Sequence, residues 1–257
     1  MEDTPCPYCS PNATTPSSVH EPADDKRLKV YDPGDVVAAL ASPHEVANTI
    51  YAMIASNKKG SRAPSFRSRH SHAASRNSSY YKQGDGRPAV MGDRDLRNNY
   101  EVYVITTYNG LSEYTDIPAF MHRFLIPLYP NNHLGCVRVD NPKYDDAIFD
   151  KLHIHTTPEM GAYRHPSGWL LALPLTIGSG RILHRFTINL DGGAKVFVKV
   201  VPEIYDQVLA MAINRGEWWR DFCNNLTSPE EAEMERLWQA YQVCNAQRPC
   251  DQLCAII

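Results

Sequence analysis

His153-Ile154-His155 is the best-spaced pair of metal-ligating side chains in the sequence. Alternate residues of an extended chain face the same side, so both imidazoles would project together. Tetrahedral zinc needs more convergent ligands, and His165 or His184 is the available third one. A second candidate is Cys6-Pro7-Tyr8-Cys9, which has dithiol spacing. A reactive dithiol needs a strand before it and a helix N-terminus after it to lower the thiol pKa, and here Ser10-Pro11-Asn12 follows. The pair reads as a redox site, as half of a zinc site shared with a partner, or as two tail cysteines. The third candidate, Cys254-Ala255-Ile256-Ile257, fits the prenylation pattern, with a terminal Ile nearer the geranylgeranyl class. One lipid chain anchors only marginally, so a second signal is expected, and Cys250 is placed for palmitoylation. The alternative is an apolar C-terminus folded onto the domain.

The fourth candidate is a basic strip. Lys58, Lys59, Arg62, Arg67, Arg69, Arg76, Lys82 and Arg87, followed by Arg94 and Arg97, face only Asp85, Asp93 and Asp95. With Phe66, Tyr80 and Tyr81 interleaved, the strip suits RNA or an anionic membrane surface, and it reads equally as a solvated linker. Its serines could carry phosphate and cancel the charge. His155-Thr156-Thr157 also gives half of the paired His-x-Thr pattern of two-histidine phosphoesterases. The second half would be His184-Arg185-Phe186-Thr187, which has one residue too many and needs a bulged strand. The sequence contains no Gly-x-Ser-x-Gly, phosphate loop or dinucleotide fingerprint, and no cofactor is expected. Trp218-Trp219 reads as a core or surface anchor, or as a membrane-facing aromatic pair.

These residues need elements to position them. The chain has 257 residues, 43% hydrophobic and 21% charged, with net charge -3. That allows one ordinary domain with tails, or two small ones, and gives no global attraction to polyanions. Seven scattered cysteines, an odd number, point to a reducing compartment. Met1-Glu2-Asp3 lacks the basic start and apolar run of a leader, and no run of about 20 apolar residues spans a bilayer. The expected fold is α+β, a mostly antiparallel sheet with helices on one face, preceded by a long and largely disordered N-terminal arm.

The arm is expected to cover residues 1–97, because the Pro- and Ser-rich stretches 1–32 and 60–98 cannot bury enough apolar surface to offset chain entropy. A helix over 35–57 interrupts it. Ser42-Pro43-His44-Glu45 is a capping box, and Val46, Ile50, Met53 and Ile54 share a helical face. The core is expected over 98–245. It opens with a strand at Tyr100–Thr107, an Asn109-Gly110 turn, and a helix capped by Thr115 or Asp116 that buries Ile117, Phe120, Met121, Phe124 and Leu125 until Pro127 stops it. Strands follow at 133–139, 152–156 and Trp169–Ile177. A hairpin joins Ile182–Leu190 to Lys195–Val201 through Asp191-Gly192-Gly193. Glu203–Asn214 is a helix stopped near Gly216, and Ser228-Pro229-Glu230-Glu231 caps another that runs to about Cys244. Residues 246–257 form a tail.

The run Tyr100–Phe124, with its polar turn Asn109-Gly110-Leu111-Ser112 and a helix ending His122-Arg123-Phe124, resembles the start of the folded domain of rhabdovirus matrix proteins. Pro174–Gly180 and the strand Ile182–Leu190 resemble the later sheet of that family. The sequence departs from it in its acidic start, its lack of Pro-Pro-x-Tyr or Pro-Thr/Ser-Ala-Pro motifs, and its prenylation box. The resemblance implies a viral matrix protein that binds rather than catalyses. Its partners would be itself, the viral nucleocapsid or RNA, an anionic membrane surface and a viral glycoprotein. It would sit in the virion and on the cytoplasmic face of host membranes, and enter the host nucleus. Two other readings stand beside it: a cellular prenylated adaptor or effector, and a small hydrolase or phosphoesterase using His155 and His184.

Overall fold

The computed structural model describes residues 31–57, 86–106, 119–128, 153–160, 168–189 and 195–247. Residues 1–30 of the stretch 1–32 expected to be disordered, the basic strip from Lys58 to Lys82, the Asn109-Gly110 turn, the strand at 133–139 and the tail from Arg248 lie outside these residues.

The fold is α+β and its sheet is antiparallel. Its centre is made by residues assigned to the arm on sequence. Strand β1 (Val36–Ala39) and strand β2 (Arg87–Arg94) pair with each other, and β2 then pairs with β3 (Asn99–Thr106). On the far edge of β3 lie two short strands in tandem, β6 (Gly168–Leu171) and β7 (Leu175–Gly178). β4 (Leu125–Leu128) extends the sheet beyond β6, and β8 (Ile182–Arg185) pairs with the free side of β1. The order is therefore β4-β6-β3-β2-β1-β8, with β7 beside β3. A domain boundary at residue 97 cuts through the middle of this sheet and is corrected here: the folded body includes residues 36–57 and 87–97. The expected helix is present over 43–57, as its capping box requires, while the extension of helix back to residue 35 is corrected. Val36 and Val37 are β-branched and every residue of β1 is buried, which suits a central strand.

Alternate strand residues fill two cores. Val37, Ala89, Met91, Val102, Val104, Trp169 and Leu171 face one side, and Val36, Val90, Tyr103, Ile105 and Leu170 face the other. Three helices cover the first side: α1 (Pro43–Asn57), the second half of α2 (Pro202–Asn224), and α3 (Ser228–Gln247). The expected capping box starts α1: Ser42 Oγ accepts the Glu45 N–H at 3.2 Å, and Glu45 Oε2 accepts the Ser42 N–H at 3.0 Å. Glu45 also pairs with Arg181 at 2.7 Å, tying the helix start to the end of the sheet. Helix α2 runs through Gly216 because Arg215, Trp219 and Cys223 continue the buried stripe of Ile204, Val208 and Met211. Trp219 Nε1 donates to the Ile50 carbonyl at 3.1 Å, so tertiary bonds outweigh the roughly 1 kcal/mol cost of the glycine. The cap of α3 is Thr227, one residue earlier than expected. Glu230 Oε2 accepts the Thr227 N–H at 2.9 Å, and Thr227 O accepts the Glu231 N–H at 2.9 Å.

Proline and partner exchange break the long strands. Trp169–Ile177 divides at Ala172–Pro174, where the Ala172 N–H leaves the ladder and donates to Phe124 O at 2.6 Å. The expected helix up to Leu125 is a 3-10 turn over Ala119–Phe124 followed by strand β4. Pro127 fits there because β4 is an edge strand, and its carbonyl accepts the Ile154 N–H at 2.8 Å.

The second face of the sheet is covered by small ribbons and the first half of α2. β9 (Thr187–Asn189) pairs with β10 (Lys195–Phe197), so the expected hairpin is present in that part. β11 (Lys199–Val200) pairs with β5 (Thr156–Thr157). The strand 182–190 splits at Phe186, and 195–201 splits at Val198. Those two residues and Val36 close a ring of backbone bonds. The Phe186 N–H donates to Val36 O at 2.8 Å, the Val36 N–H to Val198 O at 2.9 Å, and the Val198 N–H to Phe186 O at 3.1 Å. This ring welds the ribbon to the sheet.

Candidate functional site

The ring of backbone bonds sits beside a buried charge. Gly34 and Asp35 together oppose Met91: the Gly34 N–H donates to Met91 O and the Met91 N–H to Asp35 O, both at 2.8 Å. The bulge needs glycine because φ at Gly34 is +87°. It turns the Asp35 carboxylate inward, where it is 2% exposed. Asp35 Oδ2 accepts the Asp32 N–H at 3.1 Å and lies 3.2 Å from Arg185 Nε, while Oδ1 is 3.4 Å from Lys199 Nζ. Sequence reading missed this cluster because Arg185 and Lys199 lie 150 and 164 residues beyond Asp35. It ties three chain segments and is structural in geometry.

The histidine pair is real as a pair. His153 and His155 are each 3% exposed, and their ring centroids lie 4.7 Å apart at 63°. Burial, and then the neighbouring His153, push the His155 imidazole down to about 4, so it is neutral at physiological pH. A third ligand does not join them. Among the described residues no group of three His, Cys, Asp or Glu side chains could hold a metal ion, and His165 lies outside those residues. His184 is exposed on β8, opposite Ala38, with Nδ1 at 2.9 Å from the Arg185 carbonyl. The register shift in this strand falls at Leu183, where Ala38 opposes His184 and Ala39 opposes Ile182, and so lies outside the His184–Thr187 stretch where the two-histidine pattern required it. Of that pair, the His184 imidazole is in solvent and the His155 imidazole is in the core.

Trp218-Trp219 takes its anchoring reading. Trp219 is buried against Phe124, and Trp218 is half-buried, stacked on Phe222 and covered by the Arg123 guanidinium 2.9 Å from its ring centroid. Cys223 is buried and free, and burial pushes its thiol up to about 12, so it is unreactive. Cys6, Cys9, Cys250 and Cys254 lie outside the described residues. So do Lys58, Lys59, Arg62, Arg67, Arg69, Arg76 and Lys82, while Arg87 is the half-buried first residue of β2 and pairs with Ala39.

One surface feature stands out from the rest. β2 and β3 are joined by a tight loop, Asp95-Leu96-Arg97-Asn98, whose Leu96 is fully exposed. The loop is braced from within. Asp95 Oδ1 accepts the N–H groups of Arg97 at 2.7 Å and Asn99 at 2.9 Å, Asp95 Oδ2 accepts from the Asn99 side chain at 3.0 Å, and Asn98 takes a left-handed φ of 61°. Arg94 bonds to Asn98 and lies over the Tyr100 ring. These bonds, the Asn99 amides first among them, hold the Asp95 carboxyl below its ordinary pKa, so it stays ionised. Sequence reading put the turn at Asn109-Gly110 and overlooked this one, although Asp95 and Asn98 are both turn formers.

No helix among the described residues is long and apolar enough to cross a membrane. No family model, curated protein or solved structure matches the chain.

Proposed function

We propose that this chain works by binding and self-assembly at a membrane surface, in the manner of a viral matrix protein, with the basic strip meeting a nucleocapsid or RNA. The observation that carries the membrane part is the braced Leu96 tip. A fully exposed leucine on a loop that cannot fold it back is a pre-ordered apolar contact. Burying it in an interface is worth about 1.5–3 kcal/mol, too little to anchor a protein singly but enough when many copies act together. The tip itself carries Arg94 and Arg97 against Asp93 and Asp95, so it brings no net charge to the contact.

Flotation of the full chain with phosphatidylcholine vesicles containing about one third phosphatidylserine tests this. Wild type should float at low salt, and Leu96→Asp should weaken binding at least tenfold with the fold intact. Equal flotation of the two proteins, or a single monomeric species in sedimentation as salt is lowered, would overturn the reading. A lipid-anchored adaptor is the second reading, favoured by Cys254-Ala255-Ile256-Ile257. Intact mass from eukaryotic cells decides it through a prenyl adduct with loss of Ala255–Ile257.

A further inference from the structure

A group of four side chains lies on the ribbon side of the sheet, near the open end of β2. Gly92 makes room for two of them. A Cβ at Gly92 would stand 3.0 Å from Glu101 Cβ and 3.1 Å from Tyr103 Cε2. Tyr205, from the first turn of α2, lies against Gly34, with its ring 3.8 Å from where a Cβ would be. Tyr103 and Tyr205 are 1% and 9% exposed, and they form a floor. Glu101 is half-buried and Asp93 is exposed.

This group is unbalanced in two ways. The Tyr205 hydroxyl is buried and has no hydrogen-bond partner among the described residues, a condition that a bound donor would relieve. The two carboxylates have no compensating cation among the described residues. Burial, and then Asp93, raise the Glu101 carboxyl above its ordinary value. Burial and then the acids push the Tyr205 phenol up to about 12, and burial and then Glu101 raise the Tyr103 phenol as well. Neither Glu101 nor Asp93 forms an ion pair among the described residues.

We propose that Asp93, Glu101, Tyr103 and Tyr205 form a recognition site for an organic cation, an ammonium or guanidinium group. The chemistry selects that class. Two carboxylates demand positive charge, an unpartnered phenol oxygen offers an acceptor to an N–H, and aromatic walls attract a desolvated cation. A hard divalent ion fits less well. It wants about six to eight oxygens, and no group of three His, Cys, Asp or Glu side chains assembles here among the described residues.

The test is calorimetry on the full chain with three probes: spermidine, Nα-acetyl-lysine amide and Nα-acetyl-arginine amide. At least one should bind saturably with Kd below about 10 mM. The double variant Glu101→Gln/Asp93→Asn should weaken it about tenfold or more, and Tyr205→Phe should weaken it several-fold. Spermidine alone binding identifies a small polyamine as the ligand, and an amino-acid amide binding better identifies a cationic side chain of a protein. Thermal melts check both variants. Should the double variant fail to fold, Tyr205→Phe, which removes a single oxygen, decides. No binding of any probe to the wild type, equal binding to the folded variants, or displacement of the probe by calcium at lower concentration overturns the proposal.

Discussion

Replacing Asp35 with Asn should destabilise this protein more than any other single isosteric change at a charged residue. The carboxylate is 2% exposed and holds Arg185 at 3.2 Å and Lys199 at 3.4 Å. Removing one member of a buried ion pair costs about 3–5 kcal/mol, because the other charge is left buried and unpaired. Here the partners are not fully buried. The Arg185 side chain is 18% exposed and that of Lys199 is 42% exposed, so Lys199 can turn to water. Solvent screening reduces the expected loss to about 2–3 kcal/mol. With a urea slope of about 2 kcal/mol/M, the unfolding midpoint should fall by roughly 1–1.5 M. The double variant Asp35→Asn/Arg185→Met separates causes. If the cost is an orphaned guanidinium, the double variant is no less stable than Asp35→Asn alone. A midpoint within about 0.3 M of wild type for Asp35→Asn, or losses that simply add in the double variant, would refute the buried-charge account.

Two further outcomes follow from the same structure. Because the folded His155 imidazole is held near 4 against an ordinary 6.5, the unfolded chain takes up its proton first. Stability is therefore full above about pH 6.5 and is lost as pH falls towards 4, by up to about 3 kcal/mol from this group; His155→Gln should flatten that slope, and an unchanged slope in the variant would sink the assignment. Cleavage at a protease site inserted between residues 71 and 74 should leave two fragments that co-elute, since β1 and β2 are hydrogen-bonded neighbours within the sheet; fragments that separate in native buffer would contradict the central placement of β1.

What could be read in advance was local chemistry. Ser42 and Glu45 announce the start of α1 because reciprocal capping needs only four consecutive residues. The β9–β10 hairpin shows in alternation around Asp191-Gly192-Gly193, although its strands are shorter than the alternation suggests. What escaped was set by distant partners. Val36–Ala39 is too short for a period to show, and its burial depends on β2 and β8, which lie far along the chain. β2 was hidden because Arg87, Asp93 and Arg94 give it the composition of the strip before it, while its buried part is Ala89, Val90, Met91 and Gly92. Gly216 looked like a stop because the bond from Trp219 to Ile50, which overrides it, joins two helices. The candidate site followed the same rule. The histidine pair could be read from spacing, whereas Tyr205 joins Glu101 only through the packing of α2.

The corrected boundary alters the functional reading itself. A basic strip at the free end of an arm could follow any partner, but this one is an insertion between α1 and β2, and both of these belong to the body. The segment rejoins the sheet at Arg87, and β2 then runs on to the Leu96 tip. At about 3.3 Å per residue the two points are about 30 Å apart, several times the Debye length of about 8–10 Å at physiological salt. Charge at the point where the strip rejoins the sheet therefore does little for the potential at the tip. Under the proposed reading the two features serve different partners, an apolar contact at one end of β2 and a polyanion near the other. A rigid strand between two such contacts would hold them at a fixed separation, where a flexible arm would let it vary.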